Sequence, residues 1–355
     1  MINFMHDKLK ILIDGRLLSN KPTGISRYTI ELINSYNTRY GKENVSILLN
    51  KDVNLFTENN RIVTSLKPFN LIHYLFFPLF FVNKKFNIFH SSFYSSSWYK
   101  FNKIYTITTV HDLMFYKVKN FFSKYYFVNY FSKYYYYLIV KNSLINSNMI
   151  ISVSTTTQKD VNDIFNNSSI VIPEGVNLLN IESGDYVLPE ILKINGYFLY
   201  VGNGRIHKNL DLLTSAFKLY KGNKKLVIIG NVNKKLEDNS NIIQYEFVTD
   251  TELNTFYKNC SAFIYPSLYE GFGLPILEAI AYKSIVFSSN AGALSEFNFN
   301  SLFFFNPNEI VELLYLMNNI NNFVFDDNDI LKLNTYDWST NFNIFHNILI
   351  EKCKI

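Results

Sequence analysis

Glu270-Gly271-Phe272-Gly273-Leu274-Pro275-Ile276-Leu277-Glu278 is the most informative stretch of this chain. Ahead of it, Ala262–Tyr265 is a short apolar run closed by Pro266, as expected of a buried strand. Behind the two glycines, residues 275–282 predict a helix with proline in its first turn, where the missing N–H costs nothing. Strand, glycine loop and helix together aim free backbone N–H groups and the positive end of a helix at one point. Such a point suits a phosphate group.

Two carboxylates flank this glycine loop. Glu278 falls about one turn into the predicted helix, and Glu270 stands directly before the glycines. One carboxylate can accept hydrogen bonds from ribose hydroxyls, and the other can face the group that the phosphate carries.

A second glycine loop lies between a predicted strand at Tyr197–Val201 and a predicted helix at 210–220. Its Lys208, with Arg205 nearby, can neutralise a diphosphate. A solvated basic turn explains Lys208 better when this loop is taken alone. The Glu270 loop in the same predicted domain favours the binding role instead.

The first half of the chain offers two weaker candidates. Gly24 opens a predicted helix after a first strand, where the backbone can approach a phosphate, although a plain turn explains it as well. His111 follows a predicted strand at 104–110, at the sheet edge where α/β proteins bind ligands. It can donate to a sugar hydroxyl or shield a charge, or it is simply a loop histidine satisfied within the protein. Metal binding is not expected, because no third and fourth ligand accompany this histidine.

Short apolar strands alternate with helical patterns along the chain, which predicts doubly wound α/β domains on parallel sheets. A change in composition at residues 173–196 predicts the linker. The predicted domains are therefore residues 1–180 and 181–337, followed by a final helix at about 338–355. The predicted strands are Lys10–Asp14, Val45–Asn50, Phe86–His90, Ile104–Val110, Met149–Ser154, Ile170–Ile172, Tyr197–Val201, Leu226–Ile229, Ala262–Tyr265 and Ser284–Ser288.

The overall composition excludes several classes of protein. A chain of 355 residues, 48% of them hydrophobic, suffices for two domains with large cores. Its two cysteines, Cys260 and Cys353, suit a reducing cytosol and offer no disulfide framework. Residues 1–10 contain no apolar signal core, and the apolar stretch 71–82 is too short to span a bilayer. We therefore predict a cytoplasmic protein.

Charge is divided unevenly along the chain, with a net +10 over residues 1–180 and −5 over residues 181–355. Between Asp112 and Asp160 there is no acidic residue, and lysines alternate with aromatic side chains. Such a pattern on helices fits an anionic membrane surface, contacted through residues 113–141, at the inner face of the cytoplasmic membrane. A pair of core helices is the alternative. Nucleic acid is disfavoured, since no recognition motif accompanies the basic bias.

These segments, taken in order, resemble the retaining glycosyltransferases of family 4, and the likeness runs over almost the whole chain. The resemblance implies a GT-B fold, in which two Rossmann-like domains face each other across a cleft and the C-terminal helix crosses back to the first domain. It also implies two functions for the domains, with acceptor binding in the first and nucleotide-sugar binding in the second. The matching pieces are Thr23–Tyr28, Val110–Asp112, Ile151–Ser154, Val171–Asn177, Val201–Leu210, Glu270–Glu278 and the helix that opens with Trp338-Ser339.

The family also implies a role for individual residues. Glu278 matches the ribose-binding glutamate, and Glu270 the glutamate beside the donor sugar. Lys208 matches the phosphate-binding lysine and His111 the histidine at the donor sugar, so that Glu270, His111 and Lys208 are the predicted catalytic residues. The remaining predicted donor-binding residues are Gly24, Phe272, Gly273 and Leu274, which offer their backbone, and Asn203 and Arg205.

Two positions depart from the family pattern. Many relatives have arginine where this chain has Asn203, and Arg205 is the candidate substitute. Relatives often have asparagine where this chain has Glu174, and the sequence offers no physical account of that change.

The implied reaction moves a hexosyl group, mannose- or rhamnose-like, from a nucleotide-diphosphate sugar to a glycan or lipid-linked glycan of a bacterial surface polysaccharide. No metal or other cofactor is expected. Glu270 either forms a covalent glycosyl adduct or stabilises oxocarbenium character, and the sequence leaves both open. Two other classes share this architecture: a sugar-nucleotide epimerase, whose further acid and base groups are not found, and a non-catalytic nucleotide-sugar-binding scaffold. The four intact residues Glu270, Glu278, Lys208 and His111 count against the scaffold.

Overall fold

A computed structural model of the protein describes residues 9–19, 23–50, 53, 55–82, 84–176, 186–232 and 241–353. The chain divides into two compact units, Met1–Glu174 with Trp338–Ile355, and Gly175–Asp337. Each unit is built on a parallel sheet, as continuous apolar strands dictate.

The first unit has a seven-stranded sheet in the order β3-β2-β1-β4-β5-β6-β7, with every pair parallel. The order reverses between β1 and β4, which is the mark of a doubly wound fold. Its strands are β1 Ile11–Asp14, β2 Val45–Leu49, β3 Asn60–Val63, β4 Ile88–Ser91, β5 Tyr105–Val110, β6 Met149–Ser152 and β7 Ile170–Val171. Its helices are α1 Gly24–Tyr40, α2 Leu71–Phe80, α3 Met114–Lys117, α4 Tyr126–Ile145 and α5 Thr155–Phe165, together with α12 Trp338–Cys353.

The second unit has a six-stranded parallel sheet in the order β10-β9-β8-β11-β12-β13, which reverses between β8 and β11. Its strands are β8 Tyr197–Val201, β9 Lys225–Ile229, β10 Ile242–Tyr245, β11 Ala262–Tyr265, β12 Val286–Ser289 and β13 Leu302–Phe305. Its helices are α6 Glu190–Asn195, α7 Leu210–Leu219, α8 Asp250–Asn259, α9 Leu274–Ala281, α10 Ile310–Asn318 and α11 Asn328–Lys332.

The last helix returns to the first unit, as predicted. The indole Nε1 of Trp338 donates to the Ser35 hydroxyl at 2.7 Å and to the Glu31 carbonyl oxygen at 3.1 Å, both on α1. Phe342 adds an edge-on contact with Tyr36, at 5.2 Å between ring centroids. Burial of these rings against α1 and the sheet fixes α12 in the core of the first unit.

The predicted doubly wound α/β fold is confirmed, with differences at the edges of the sheets. The sequence analysis does not predict β3, β10 and β13, which are edge strands. β3 and β10 are only partly buried, so they show no continuous apolar run. The division between the units falls after Glu174, and α6 lies inside the predicted linker. Residues 177–185 of that linker, including Gly184, lie outside the described residues.

Candidate functional site

Lys208, Glu270 and Tyr265 form a buried cluster in the second unit. Lys208 ends a 3₁₀ turn, Ile206–Lys208, that follows β8, while Tyr265 ends β11 and Glu270 comes five residues later. The Lys208 ammonium Nζ donates to the carboxylate Oε1 of Glu270 at 2.8 Å and to the Tyr265 hydroxyl at 2.9 Å. β8 and β11 are the strands between which the sheet order reverses. Doubly wound folds bind their ligands at this switch point.

The Lys208–Glu270 pair is charged although it is shielded from water, with 16% of the lysine side chain and 8% of the glutamate side chain exposed. Burial opposes the charge on Lys208, but the Glu270 carboxylate and Tyr265 outweigh it and raise the pKa of Lys208 above its ordinary value. Burial also disfavours the Glu270 anion, yet the Lys208 ammonium holds the pKa of this carboxyl below its usual range. The site therefore presents a fixed ammonium and a fixed carboxylate at neutral pH.

The loops that carry this pair are held by backbone contacts. The Leu268 N–H donates to the His207 carbonyl oxygen at 2.7 Å, and the Ala293 N–H donates to the Glu270 carbonyl oxygen at 3.0 Å. A Cβ atom on Gly292 would lie 2.6 Å from the Glu270 carbonyl oxygen, so this close approach requires glycine. His207 itself is buried, and burial lowers its pKa to about 4. It is therefore neutral and adds no charge to the site.

Phe272, Gly273 and Leu274 lead into α9 and offer backbone rather than side-chain groups. Gly273 is the N-cap, with a φ of 125° that favours glycine, and it has no side chain with which to cap the first turn. The Phe272 ring is buried against Phe297, at 5.5 Å between centroids. The helix end thus presents N–H groups next to Glu270, which is the geometry that the sequence predicts for phosphate.

Glu278 lies on α9, one turn past its start. Its carboxylate Oε2 accepts a hydrogen bond from the Tyr257 hydroxyl of α8 at 3.1 Å, and the side chain is half-buried. The structure places it on the helix that the glycine loop opens. Its contact with a ribose stays a prediction.

Asn203 and Arg205 lie in the exposed loop between β8 and Lys208. The Asn203 carbonyl oxygen accepts from the Tyr200 hydroxyl at 3.0 Å, and its side-chain Oδ1 accepts from the Arg205 N–H at 3.2 Å. Asn203 therefore shapes the loop, while Arg205 presents an exposed guanidinium three residues before Lys208.

His111, in the first unit, has both ring nitrogens engaged. Nδ1 lies 2.5 Å from the Glu174 carboxylate Oε1, and Nε2 lies 2.7 Å from the Ser92 carbonyl oxygen. Since both partners are acceptors, both nitrogens donate and the ring is an imidazolium. Burial opposes this charge, but the Glu174 carboxylate outweighs it and raises the pKa of His111 above its ordinary value. The geometry suits the predicted shielding of charge better than the predicted donation to a sugar hydroxyl.

The sequence analysis does not identify two residues of these clusters as site residues. Glu174 departs from the family pattern in a way that the sequence does not explain, and in the structure it is the charged partner of His111. Its signal is a lone carboxylate three residues after the last strand of the first sheet. Tyr265 is recognised there only as a strand residue, although its place at the carboxyl end of β11 marks it for the site.

Gly24 is the first residue of α1, after the N-cap Thr23, whose hydroxyl accepts from the Ser26 N–H at 3.3 Å. A Cβ atom on Gly24 would meet nothing within 4 Å, so packing inside the protein does not require glycine there. Across the described part of the chain, no group of three or more His, Cys, Asp or Glu side chains is arranged to hold a metal ion. The described helices likewise include none that is long and apolar enough to cross a membrane.

Residues 190–320 match the family model of glycosyl transferases group 1. This stretch is the part of the chain that is similar to that family. It contains both glycine loops, the Lys208–Glu270 pair and Glu278.

Two curated relatives agree with this match. The chain is 31% identical to an uncharacterised glycosyltransferase of Methanocaldococcus jannaschii over 205 residues, covering 51% of this chain and 56% of the relative. It is 26% identical to the O-antigen chain mannosyltransferase RfbU of Salmonella typhimurium over 212 residues, covering 57% and 56%. The chain thus spans a little over half the length of these relatives. The matches bear out the predicted relationship to glycosyltransferases.

The fold is shared with solved structures. WaaG, a glycosyltransferase involved in lipopolysaccharide biosynthesis, superposes with a TM-score of 0.69 at 12% identity, covering 93% of each chain. HepE of Anabaena, solved in complex with UDP and glucose, superposes with a TM-score of 0.71 at 16% identity, covering 97% of this chain and 100% of HepE. The predicted GT-B fold class is confirmed by such neighbours together with the two parallel sheets.

Proposed function

We propose that this protein is a retaining glycosyltransferase of family 4, which transfers a hexosyl group from a nucleotide-diphosphate sugar to a hydroxyl of a glycan or lipid-linked glycan. Mannose and rhamnose are the favoured sugars, in lipopolysaccharide, capsule or exopolysaccharide synthesis. The match of residues 190–320 to group 1 glycosyl transferases and the similarity to an O-antigen mannosyltransferase support this proposal. The observation that carries it is the charged Lys208–Glu270 pair at the switch point of the second unit's sheet.

The donor would bind at the helix end beside this pair. The N–H groups at Phe272, Gly273 and Leu274 would meet the diphosphate, and Lys208, with Arg205 from the neighbouring loop, would neutralise its charge. Glu278 would accept from the ribose hydroxyls. Each assignment follows from the group that the residue presents, and none of them requires a metal.

The bond to break joins the anomeric carbon of the sugar to the diphosphate. Charge grows on the departing diphosphate, and Lys208 with the helix end is placed to stabilise it. Glu270 is held as an anion by Lys208, so it can stabilise positive charge that develops on the sugar ring. A carboxylate whose negative charge is already shared with an ammonium is a weak nucleophile, which favours charge stabilisation over a covalent adduct.

The first unit would serve the acceptor. His111, held by Glu174 and Ser92, would supply positive charge, and Gly24 would let the backbone approach a ligand. We further propose that residues 113–141 contact an anionic membrane surface. α4 exposes a row of aromatic rings, and Lys119 and Lys124 are exposed next to them, whereas Lys117 is paired with Asp160 at 2.5 Å. The aromatic rings are Tyr126, Phe127, Tyr130, Phe131 and Tyr134.

Radiolabelled nucleotide sugars incubated with the protein and a membrane fraction test this proposal. A transferase moves label into a lipid-linked product, an epimerase changes only the donor, and a scaffold does neither. Donors are first ranked by the rise in melting temperature that each produces.

Variants then locate the reaction in the site. Lys208→Ala and Glu270→Ala are each expected to abolish most of the labelled product. Lys283→Ala is the matched control, because Lys283 pairs with Asp327 at 2.7 Å on the exposed surface of the same unit. Near-normal turnover by both site variants would show that the assignment of the site is wrong.

A further inference from the structure

α2 is an apolar helix with an exposed outer face. It contains no lysine, arginine, aspartate or glutamate. Its inner face is fixed, because the His73 ring nitrogen Nδ1 accepts from buried Arg16 at 2.8 Å and Phe77 is fully buried beneath the Arg16 guanidinium. Six large apolar side chains on its outer face and just beyond it are each half exposed or more: Leu71, Ile72, Leu75, Phe76, Leu79 and Val82. Apolar area of this extent, on a helix held in one orientation, marks a binding surface.

A groove of about 1020 Å³ runs along this helix. α2 forms one wall, and the segment from Trp98 to Ile104 forms the other, with Phe81, Phe86 and Phe101 along the groove. The volume reaches the upper end of the range for ligand pockets, and the walls are mainly apolar. An extended hydrocarbon chain fits such a groove better than a sugar does.

The rim of the groove is basic. Lys10, Lys84, Lys85 and Lys103 line it, and no carboxylate occurs among the described residues that do so. Trp98 and Tyr99, both more than a third exposed, stand at the same opening. Apolar walls, a lysine rim and amphipathic aromatic rings together complement a lipid with an anionic phosphate headgroup.

The groove is separate from the sugar chemistry. Lys10, Asn87 and Ile104 immediately precede β1, β4 and β5, so the groove lies at the amino ends of these strands. His111 follows β5 at the opposite, carboxyl edge of the same sheet.

We propose that this groove binds an anionic phospholipid of a membrane, with one acyl chain along α2 and the phosphate on the lysine rim. The site does not depend on the transferase assignment. It differs from the aromatic face of α4 in offering an apolar groove as well as a charged surface.

Vesicles of phosphatidylcholine, with and without phosphatidylglycerol, test the proposal by co-sedimentation. Wild-type protein is expected to bind only the anionic vesicles. Leu79→Asp, at an exposed position that tolerates a polar side chain, is expected to weaken binding about tenfold or more. Lys84→Ala and Lys85→Ala are each expected to weaken it roughly fivefold. Leu219→Asp, at a comparably exposed leucine in the last turn of α7 in the second unit, is the matched control and is expected to bind normally.

Tryptophan fluorescence reports whether a chain enters the groove. Phosphatidylglycerol brominated along its acyl chains is expected to quench Trp98, and the quenching is expected to disappear in Trp98→Phe, because the second tryptophan, Trp338, is buried in the core. Binding that persists in Leu79→Asp but is lost on Lys119→Ala with Lys124→Ala would overturn the proposal in favour of the α4 face. The surface would instead bind a second copy of the chain if the wild type forms a dimer in solution, Leu79→Asp dissociates that dimer, and the wild type binds no vesicles.

Discussion

Each unit holds a buried cation–carboxylate pair at the carboxyl edge of its parallel sheet, but the two cations are bonded differently. The Lys208 ammonium has three N–H donors, of which two face Glu270 and Tyr265. The His111 imidazolium has only two, and these face Glu174 and the Ser92 carbonyl. Lys208 is also 16% exposed, so its ammonium, with a third N–H donor, is not sealed from solvent.

This difference in free N–H donors indicates that Lys208 can bind a ligand directly, whereas His111 is fixed by its two acceptors. A donor that already has a buried acceptor gains little by turning to a ligand, because the acceptor is then left unpaired. We therefore infer that Lys208 contacts the diphosphate, while Glu174 positions His111 and the imidazolium acts through its charge. The sequence presents both as basic side chains near strand ends and does not show which of their N–H donors already have an acceptor inside the protein.

The largest effect is expected from removing the negative charge of Glu270. Glu270→Gln keeps the shape and an acceptor for Lys208 but loses the anion, and we expect kcat/KM for the nucleotide sugar to fall about a hundredfold or more. Glu174→Gln, the equivalent change in the first unit, is expected to cost less than about tenfold, since Glu174 acts through His111. The kcat/KM of both variants is measured by following the release of the nucleotide from the preferred donor.

Glu190→Gln is the control for this comparison, because the Glu190 carboxylate lies in an exposed pair with Lys193. It is expected to keep full activity. Equal losses in the Glu270 and Glu174 variants would remove the distinction between the two pairs.

The sheets are predictable from sequence where burial is complete on both faces. β8 and β11 are continuous apolar runs, and β1 is apolar up to Asp14; all three lie within one residue of their predicted positions. β3, with asparagine and arginine at its start, is an edge strand exposed to water on one side, and its sequence carries no strand pattern. Such a strand is defined by the neighbour that it pairs with, which local sequence does not contain.

The pairing of site residues depends on strand order for the same reason. Lys208 and Glu270 are 62 positions apart, and they meet because β8 and β11 are adjacent across the reversal of the sheet. His111 and Glu174 are 63 positions apart. Motif spacing identifies Lys208, Glu270 and His111 as candidates, but only the folded sheet shows which carboxylate each cation has.

The His111–Glu174 pair makes stability depend on pH. Since Glu174 raises the pKa of folded His111 above its ordinary value of 6.5, folding favours the protonated ring. The stabilisation is fully present below pH 6.5 and is lost as the pH rises through the raised pKa. Glu174→Gln is therefore expected to lower the free energy of unfolding most at about pH 6 and least at about pH 9.

Urea unfolding at both pH values measures this effect. Glu190→Gln, which changes an exposed ion pair, is expected to change the free energy of unfolding by the same small amount at both pH values. If the loss in free energy of unfolding caused by Glu174→Gln does not shrink with rising pH, the pair contributes by packing and not by charge.

The smallest effect is expected at the glycine that opens α1. Gly24→Ala places a methyl group in open space and removes a glycine from a helix, so the free energy of unfolding should stay within about 1 kcal/mol or rise. Gly273→Ala is the contrasting variant in the second unit: with a φ of 125° and a Cβ position 2.7 Å from Leu294, it should destabilise by about 1–3 kcal/mol. If the Gly24 backbone approaches the donor, Gly24→Ala should raise KM several-fold without loss of stability. An unchanged KM would make Gly24 a plain turn and leave donor binding to the second unit.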